Sequence, residues 1–212
     1  GIKGKILGNF KNINYEAKNV DPYKEDFTSE FYTALGYLAS IDLQKINRDG
    51  SHLLTPKLLL RYSPGSMRKE TDGFRLNPIS AFNINRLENK NNFETGLSGT
   101  LGFDYKIEKE NSELDFSVAQ IINEKENKKM PSKTSLDEKL SDLVVSSNYK
   151  LNDKSMNYDI SLDKKLNVIR AHYIRILESY PSQLAVLAAR KHLAAYMADL
   201  PQIDTKMRSI LR

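Results

Sequence analysis

Residue types that often carry catalysis or bind metals are sparse in this sequence. It contains no cysteine, which excludes disulfides, thiolate catalysis and cysteine-ligated metals. Its histidines, His52, His172 and His192, are too far apart for a metal-ligand spacing. We therefore predict no bound cofactor or metal, name no catalytic residue, and expect a protein that is not an enzyme.

Three charged residues lie in a segment, 93–107, where apolar residues alternate with small or polar ones. A period of two residues indicates a β-strand, and the segment is longer than the usual five or six residues of a globular strand. It matches the roughly 9–11 residues of a strand that crosses a bilayer. Glu94, Asp104 and Lys106 share the polar face and are candidates to line a polar lumen, with solvated strand positions as the alternative. The predicted apolar face consists of Phe93, Thr95, Leu97, Gly99, Leu101, Phe103, Tyr105 and Ile107.

The same alternation recurs along residues 1 to about 165. Polar turns rich in Asn, Asp and Gly separate some of these segments, and longer connections cover 63–78 and 123–139. Short turns on one side and long loops on the other are typical of outer-membrane barrels. We also predict a bulge between Phe10 and Ile13, and an edge or kink at Pro56. The other predicted strands are 6–15, 31–43, 54–62, 114–118, 143–149 and 156–162.

A soluble β-sandwich would produce the same alternation. Strand length favours the membrane barrel, as do tyrosines near predicted strand ends, where an aromatic girdle would lie. The mean hydropathy of −0.53 is compatible with membrane strands, because only every second residue must face lipid. The tyrosines are Tyr15, Tyr62, Tyr105 and Tyr149.

Several blocks of the sequence resemble the barrel of the LptD family, the outer-membrane proteins of lipopolysaccharide assembly. The blocks are LTPKLLLRYSPGSMR (54–68), NINRL (83–87) and ETGLSGTLGFDY (94–105), and 120–125 and 135–149 fit the same region. The resemblance implies a many-stranded barrel that receives lipopolysaccharide from a periplasmic bridge and passes it to the outer leaflet. It implies a plug lipoprotein and outer-membrane lipid as further partners, and a location in the outer membrane.

After Leu162 the apolar residues recur at helical spacing, from Leu166 through Ile169, Tyr173 and Ile176 to Tyr180. A second helix is predicted after Pro181 and a short third one over 204–211. The predicted fold is therefore mainly β, an antiparallel β-meander that forms a partial outer-membrane barrel over 1–163. A small α-helical C-terminal segment follows over 164–212.

The second predicted helix carries Arg190, Lys191 and His192, which are candidates for RNA contact, with a solvated helix face as the alternative. The segments IRAHY (169–173) and ARKHLAAY (189–196) resemble the C-terminal helical domain of bacterial tRNA-dihydrouridine synthases. That resemblance implies tRNA as a partner and a cytoplasmic location. Without a cysteine the chain cannot supply that family's catalytic residue, so only tRNA binding would remain.

The sequence therefore leaves three possibilities for the whole chain. The first is a partial outer-membrane barrel, the second is a protein whose helical tail binds tRNA, and the third is a soluble β-rich interaction domain with a helical appendix.

Overall fold

A computed structural model of the protein describes residues 1–21, 23–87, 89–164 and 169–177. These residues form one antiparallel sheet of nine strands, which confirms the predicted mainly β meander. Neighbours in the sheet follow chain order, except that β3 continues the direction of β2 and both pair with β4. The strands are β1 Ile2–Ala17, β2 Asp26–Ile41, β3 Leu43–Asn47, β4 Gly50–Ser63, β5 Gly96–Lys109, β6 Ser112–Asn123, β7 Leu143–Leu151, β8 Lys154–Leu162 and β9 Ile169–Leu177.

The two ends of the sheet differ in the length of their connections. Residues 48–49, 110–111 and 152–153 make the tight turns at one end, called here the turn end. At the other end, the loop end, β4 is joined to β5 by 64–95 and β6 to β7 by 124–142. The predicted asymmetry between short turns and long loops is therefore confirmed.

Strand β1 is longer and more regular than predicted. It pairs with β2 in continuous register along its whole length, so the predicted bulge between Phe10 and Ile13 is wrong. The apparent change of phase at this point has another cause. Phe10 lies on one side of the sheet, and Ile13 is buried on the other.

Pro56 lies in a central strand, because β4 pairs with β2 or β3 on one side and with β5 on the other. The predicted edge is therefore wrong. The ladder between β4 and its β2–β3 neighbour is nevertheless interrupted at Thr55 and Pro56, since proline has no N–H to donate. Asp42 lies opposite this interruption, and its Oδ1 accepts a hydrogen bond from Thr55 Oγ1 at 3.0 Å.

The start of β5 also differs from the prediction. Gly96 has a φ of +117°, a conformation that favours glycine, and the strand begins there and not at Phe93. Phe93 is fully buried and stacks on Tyr32 with ring centroids 6.0 Å apart. It is therefore a core residue, and Glu94 likewise lies in the connection that precedes the strand.

The sheet continues beyond residue 163. Ile169–Leu177 is strand β9, which pairs antiparallel with β8 after a shift of register between Ser161 and Leu162. The predicted helix is therefore wrong over these residues. The other two predicted helices, and with them Arg190, Lys191 and His192, lie outside the described residues.

Alternate residues of each strand point to two faces of the sheet, and the two long connections pack on one of them. We call this the inner face and the opposite one the outer face. In the 64–95 connection, the short helix α1 (Pro78–Ala81) begins with a capping box between Asn77 and Ser80. The core lies between the inner face and the connections, and its main cluster comprises Met67, Leu76, Ala81, Leu87, Ala119, Ile121, Met130, Leu136 and Val144.

Candidate functional site

The outer face carries large apolar side chains that no described part of the chain covers. Ile6 is 81% exposed, Phe31 64% and Leu101 52%. These residues lie on the same face of the sheet. The register between β1, β2, β4 and β5 is continuous, so residues directly opposite one another on neighbouring strands point to the same side. We call the apolar part of this face the belt, defined as the outer-face positions of 2–10, 31–41, 54–62, 97–107, 114–122, 143–149 and 156–162.

None of these belt positions is occupied by a charged residue. On β4 the belt runs from Leu54 to Tyr62, which at about 3.3 Å per residue is about 26 Å along the strand. That length is close to the apolar band of about 25 Å on outer-membrane barrels. The belt therefore resembles such a band in its charge-free composition and in its length along the strand.

Mostly polar residues border the belt at the turn end, where Leu43 and Leu151 are apolar exceptions. On β3 to β8 the outer-face positions beyond the belt include three lysines, Lys45, Lys109 and Lys154, and no carboxylate. His52 Nδ1 lies 2.9 Å from the hydroxyl of Tyr105, and their rings are stacked. Tyr62, Tyr105 and Tyr149 lie on the outer face as a girdle requires, but Tyr15 does not, since it packs on the inner side.

At the loop end of the inner face, three charged residues form a buried cluster. Arg86 Nε donates to Glu94 Oε2 at 2.9 Å, and its Nη2 donates to Glu94 Oε1 and, at 2.7 Å, to Ser98 Oγ. Arg61 Nη1 lies 3.6 Å from Glu94 Oε1. Arg61 also donates to the carbonyl oxygens of Ile84, at 2.7 Å, and Glu94, at 2.5 Å. The cluster thus ties the 64–95 connection to strand β4.

All three charged residues of this cluster are at most 4% exposed. Burial by itself raises the pKa of Glu94, but the adjacent guanidinium groups of Arg86 and Arg61 outweigh it and hold the pKa below its ordinary value. Removing one partner of such a buried group leaves an uncompensated charge, at a cost of about 3–5 kcal/mol. The cluster therefore fixes the end of the connection over β4.

A second contact joins the same connection to the β1–β2 hairpin. The guanidinium carbon of Arg68 lies 4.9 Å from the ring centroid of Tyr15 and 4.7 Å from that of Tyr23. Arg68 also forms an ion pair with Glu30, which accepts hydrogen bonds from Tyr32, at 2.9 Å, and Tyr15, at 3.2 Å. Two groups of contacts thus fix the 64–95 connection over the loop-end half of the inner face.

The turn-end half of the inner face is charged, and it is open to solvent beyond Lys57, whose Nζ lies 4.5 Å from the ring centroid of Phe82. Asp104 Oδ2 lies 2.6 Å from Lys57 Nζ. Lys106 Nζ lies 2.7 Å from Glu108 Oε1 and 2.6 Å from Glu113 Oε1, and its side chain is 36% exposed. Ion pairs in such a position contribute little to stability, because water screens them.

The predicted site residues are thus divided between two environments. Asp104 and Lys106 lie on the polar face of β5 as expected, whereas Glu94 is buried within the 64–95 connection. Sequence reasoning missed Arg61 and Arg86 as partners of Glu94. The only available signal was the position of Arg61 at an inward-facing place in an apolar strand, where a buried charge needs a partner.

Among the described residues, no group of histidine and acidic side chains could hold a metal ion. Within the same ranges, no helix has the length and apolar character needed to cross a membrane.

Comparison with known proteins gives one family. The model of the LptD family, described as LPS transport system D, matches residues 26–177, which extend from β2 through β9. No curated protein matches the chain. The match ends at Leu177, and nothing supports the resemblance of the C-terminal segment to tRNA-dihydrouridine synthases. Because the matched residues are more than half of the 212 in the sequence, the chain belongs to the LptD family.

Proposed function

We propose that this chain forms part of the wall of an outer-membrane β-barrel that takes part in lipopolysaccharide transport and assembly. Its role would be structural and would need no catalytic group. Membership of the LptD family supports the transport role. The membrane placement is supported mainly by the belt, where large apolar side chains are exposed and no position is charged. Soluble monomers rarely expose a contiguous apolar patch larger than a few hundred Å².

The ends of the sheet support an orientation in that membrane. In outer-membrane barrels the short turns are periplasmic and the long loops extracellular. The turn end would therefore face the periplasm, and the 64–95 and 124–142 connections would lie towards the cell surface. In this arrangement the inner face lines the lumen, with Asp104 and Lys106 exposed to it and Glu94 packed in its wall.

Lipopolysaccharide and a plug lipoprotein are the proposed partners on the lumenal side. The turn-end half of the inner face supports this, because no described segment covers the charged side chains of Lys106, Glu108 and Glu113. The loop-end half is occupied by the chain's own connections. A lumenal partner would therefore contact the turn-end half.

Insertion into vesicles tests the membrane placement. Leu101→Lys places a charge in the middle of the belt, whereas Ser117→Lys places the same charge on the inner face of the adjacent strand. A lysine on the lipid face at the bilayer midplane costs about 2–4 kcal/mol. We expect Leu101→Lys to lower the protease-resistant fraction in phosphatidylcholine vesicles and Ser117→Lys to leave it unchanged. Equal insertion of both variants would contradict the membrane placement.

Photo-crosslinking tests the substrate. Tyr105 and Lys106 are neighbours in sequence and point to the outer and inner faces of the turn-end half. With a benzophenone amino acid at each position in turn, we expect outer-membrane fractions to yield lipopolysaccharide adducts at 106 and phospholipid adducts at 105. The absence of lipopolysaccharide adducts at 106, with phospholipid adducts present at 105, would remove the transport role and keep the membrane placement.

A further inference from the structure

Basic and aromatic side chains meet on the outer face at the turn end of β3, β4 and β5. Lys45 on β3 lies directly opposite His52 on β4. His52 Nδ1 lies 2.9 Å from the hydroxyl of Tyr105 on β5, and the two rings are stacked. Lys109 extends from β5 over the end of β4, since its Cγ lies 3.1 Å from the place that a Cβ on Gly50 would take. We call this group the basic border site, defined as Lys45, His52, Tyr105 and Lys109.

The positive charge of the basic border site is not neutralised by the chain. Neither of its lysines forms an ion pair with a described residue, whereas Lys57 and Lys106, on the inner face of β4 and β5, pair with carboxylates. The two adjacent turns contribute Arg48, Asp49 and Glu110, which leaves a net charge of +1 when they are counted with the two lysines of the site. The outer face therefore attracts an anion at this place.

His52 and Tyr105 keep one hydrogen-bond donor for such an anion. If the Tyr105 hydroxyl donates to Nδ1 of His52, the proton of the neutral imidazole lies on Nε2, which has no bond to a described residue. If Nδ1 donates instead, the hydroxyl of Tyr105 is the free donor. A phosphate group is both charged and a multiple acceptor, so it complements this donor together with two ammonium groups.

A mostly apolar groove lies on the outer face, on the loop-end side of the basic border site. Its volume is about 550 Å³, and it is centred where the ladder between β4 and its neighbour is interrupted at Pro56. Ala39 and Pro56 are smaller than the side chains around them, which leaves a depression in the belt. The lining includes Ala39, Ile41, Pro56, Leu58, Leu101 and Phe103.

The distance between the groove and the basic border site fits the length of one lipid molecule. Pro56 is four residues from His52 along β4, which at about 3.3 Å per residue is about 13 Å. One leaflet supplies half of a hydrocarbon core of about 30 Å, or about 15 Å. A lipid whose phosphate lies at the basic border site can therefore place an acyl chain in the groove without leaving its own leaflet.

We propose that the basic border site and the groove together bind one anionic phospholipid of the periplasmic leaflet. Its phosphate contacts Lys45, Lys109 and the free donor of the His52–Tyr105 pair, and one of its acyl chains lies in the groove. The inference rests on the proposed membrane placement and adds a specific lipid site to it. General contact with lipid is different, because Lys154 borders the belt on β8 without a histidine–tyrosine pair or a groove beside it.

Lipid-selective quenching tests this in the full chain, because the protein contains no tryptophan. Phe103→Trp places a reporter in the groove, and Ile160→Trp places one in the same row, three strands away. Each variant is inserted into phosphatidylcholine vesicles with a small fraction of either phosphatidylglycerol or phosphatidylcholine whose acyl chains are brominated, since bromine quenches tryptophan on contact. At Phe103→Trp we expect phosphatidylglycerol to be enriched about fivefold, the factor that one lysine beside an anionic lipid contributes. Both brominated lipids should quench Ile160→Trp alike.

Substitution of the lysines tests the headgroup contact. Lys45→Gln combined with Lys109→Gln should abolish the preference for phosphatidylglycerol at Phe103→Trp. Lys154→Gln is the matched control, since Lys154 lies in the same row as Lys109 and points to the same face. It should leave the preference unchanged. An equal loss in this control would mean that general surface charge attracts the lipid, and it would overturn the site.

The outcomes separate this site from the membrane placement. If both brominated lipids quench Phe103→Trp equally, the site is overturned while the membrane placement stands. If neither reporter is quenched in vesicles made entirely of brominated lipid, the placement and the site are both overturned. Circular dichroism checks that each variant is folded. Leu54→Trp, which lies on β4 between the basic border site and the groove, replaces Phe103→Trp if that variant does not fold.

Discussion

At the loop end of the inner face Glu94 lies between Arg61 and Arg86 with all three side chains buried, whereas at the turn end Lys106 lies between Glu108 and Glu113 in contact with solvent. Each group places one charge between two of the opposite sign. They differ in what covers them, because the 64–95 connection, which contains Arg86 and Glu94, encloses the first and no described segment packs over the second. The same kind of charge arrangement can therefore hold a connection in place or remain a solvated surface.

The largest effect is expected at the centre of the buried cluster. Glu94→Gln keeps the shape of the side chain but leaves Arg61 and Arg86 buried without a counter-charge. We expect the free energy of unfolding in urea, measured in vesicles, to fall by about 3–5 kcal/mol. A value close to that of the unsubstituted protein would show that the buried cluster contributes as little to stability as the solvated ion pairs of the turn-end half.

Acid should affect the same cluster. Because the pKa of Glu94 is held below its ordinary value of 4.5, its contribution to stability is fully present above that value. The contribution is lost as the pH falls below 4.5 and through the lowered pKa. We expect the stability difference between the unsubstituted protein and Glu94→Gln to be constant at neutral pH and to shrink in acid. A difference that already shrinks well above 4.5 would contradict the lowered pKa.

Neighbouring isoleucines sharpen the comparison between the covered inner face and the outer face. Ile121 is fully buried in the core, whereas Ile122 is 45% exposed on the outer face. Ile121→Ala should cost about 2–5 kcal/mol, because it opens a cavity under the connections. Ile122→Ala should cost less in vesicle unfolding assays, since lipid chains can fill the space. Equal losses would mean that the outer face is packed as tightly as the inner one.

Two glycines of β5 give a smaller contrast. A methyl group on Gly102, on the inner face, would collide with the carbonyl oxygen of Val118 and approach Phe82, whereas one on Gly99, on the outer face, would lie 3.8 Å from Leu60. We expect Gly102→Ala to destabilise by about 1–3 kcal/mol and Gly99→Ala to change little in the same assay. A tolerated Gly102→Ala would show that β5 and β6 can move apart.

The smallest effect is expected at the centre of the exposed group. Lys106→Met removes its ion pairs with Glu108 and Glu113, which are solvated. Its unfolding free energy should remain near that of the unsubstituted protein. A loss as large as that of Glu94→Gln would mean that the turn-end half is covered by a segment or partner that excludes water.

The alternation of residue types was enough to predict most of the strands, and where it failed the reason is physical. At Phe93 the alternation continues without a break, but Gly96 redirects the chain and Phe93 packs on Tyr32. Over Ile169–Leu177 the apolar residues fit a helical period as well as a strand. The free edge of β8 offers a ladder of backbone hydrogen bonds, and tertiary pairing of this kind overrides local preference.

The candidate site, too, was only partly predictable from local sequence. Asp104 and Lys106 follow from the period of two in β5, which places both on the polar face. The pairing of Glu94 with Arg61, 33 positions away, depends on how the 64–95 connection folds back over β4. Local sequence indicates that an inward-facing Arg61 needs a partner, but not that Glu94 is that partner.

By itself, the sequence determined the two-faced strands, the short turns and the charge-free belt, because each depends on residues within one strand or one turn. The tertiary structure alone decided which polar residues are buried, where β5 begins and that the sheet extends to β9. Those features depend on backbone pairing and on burial by distant segments, which bring together residues that are far apart in the chain.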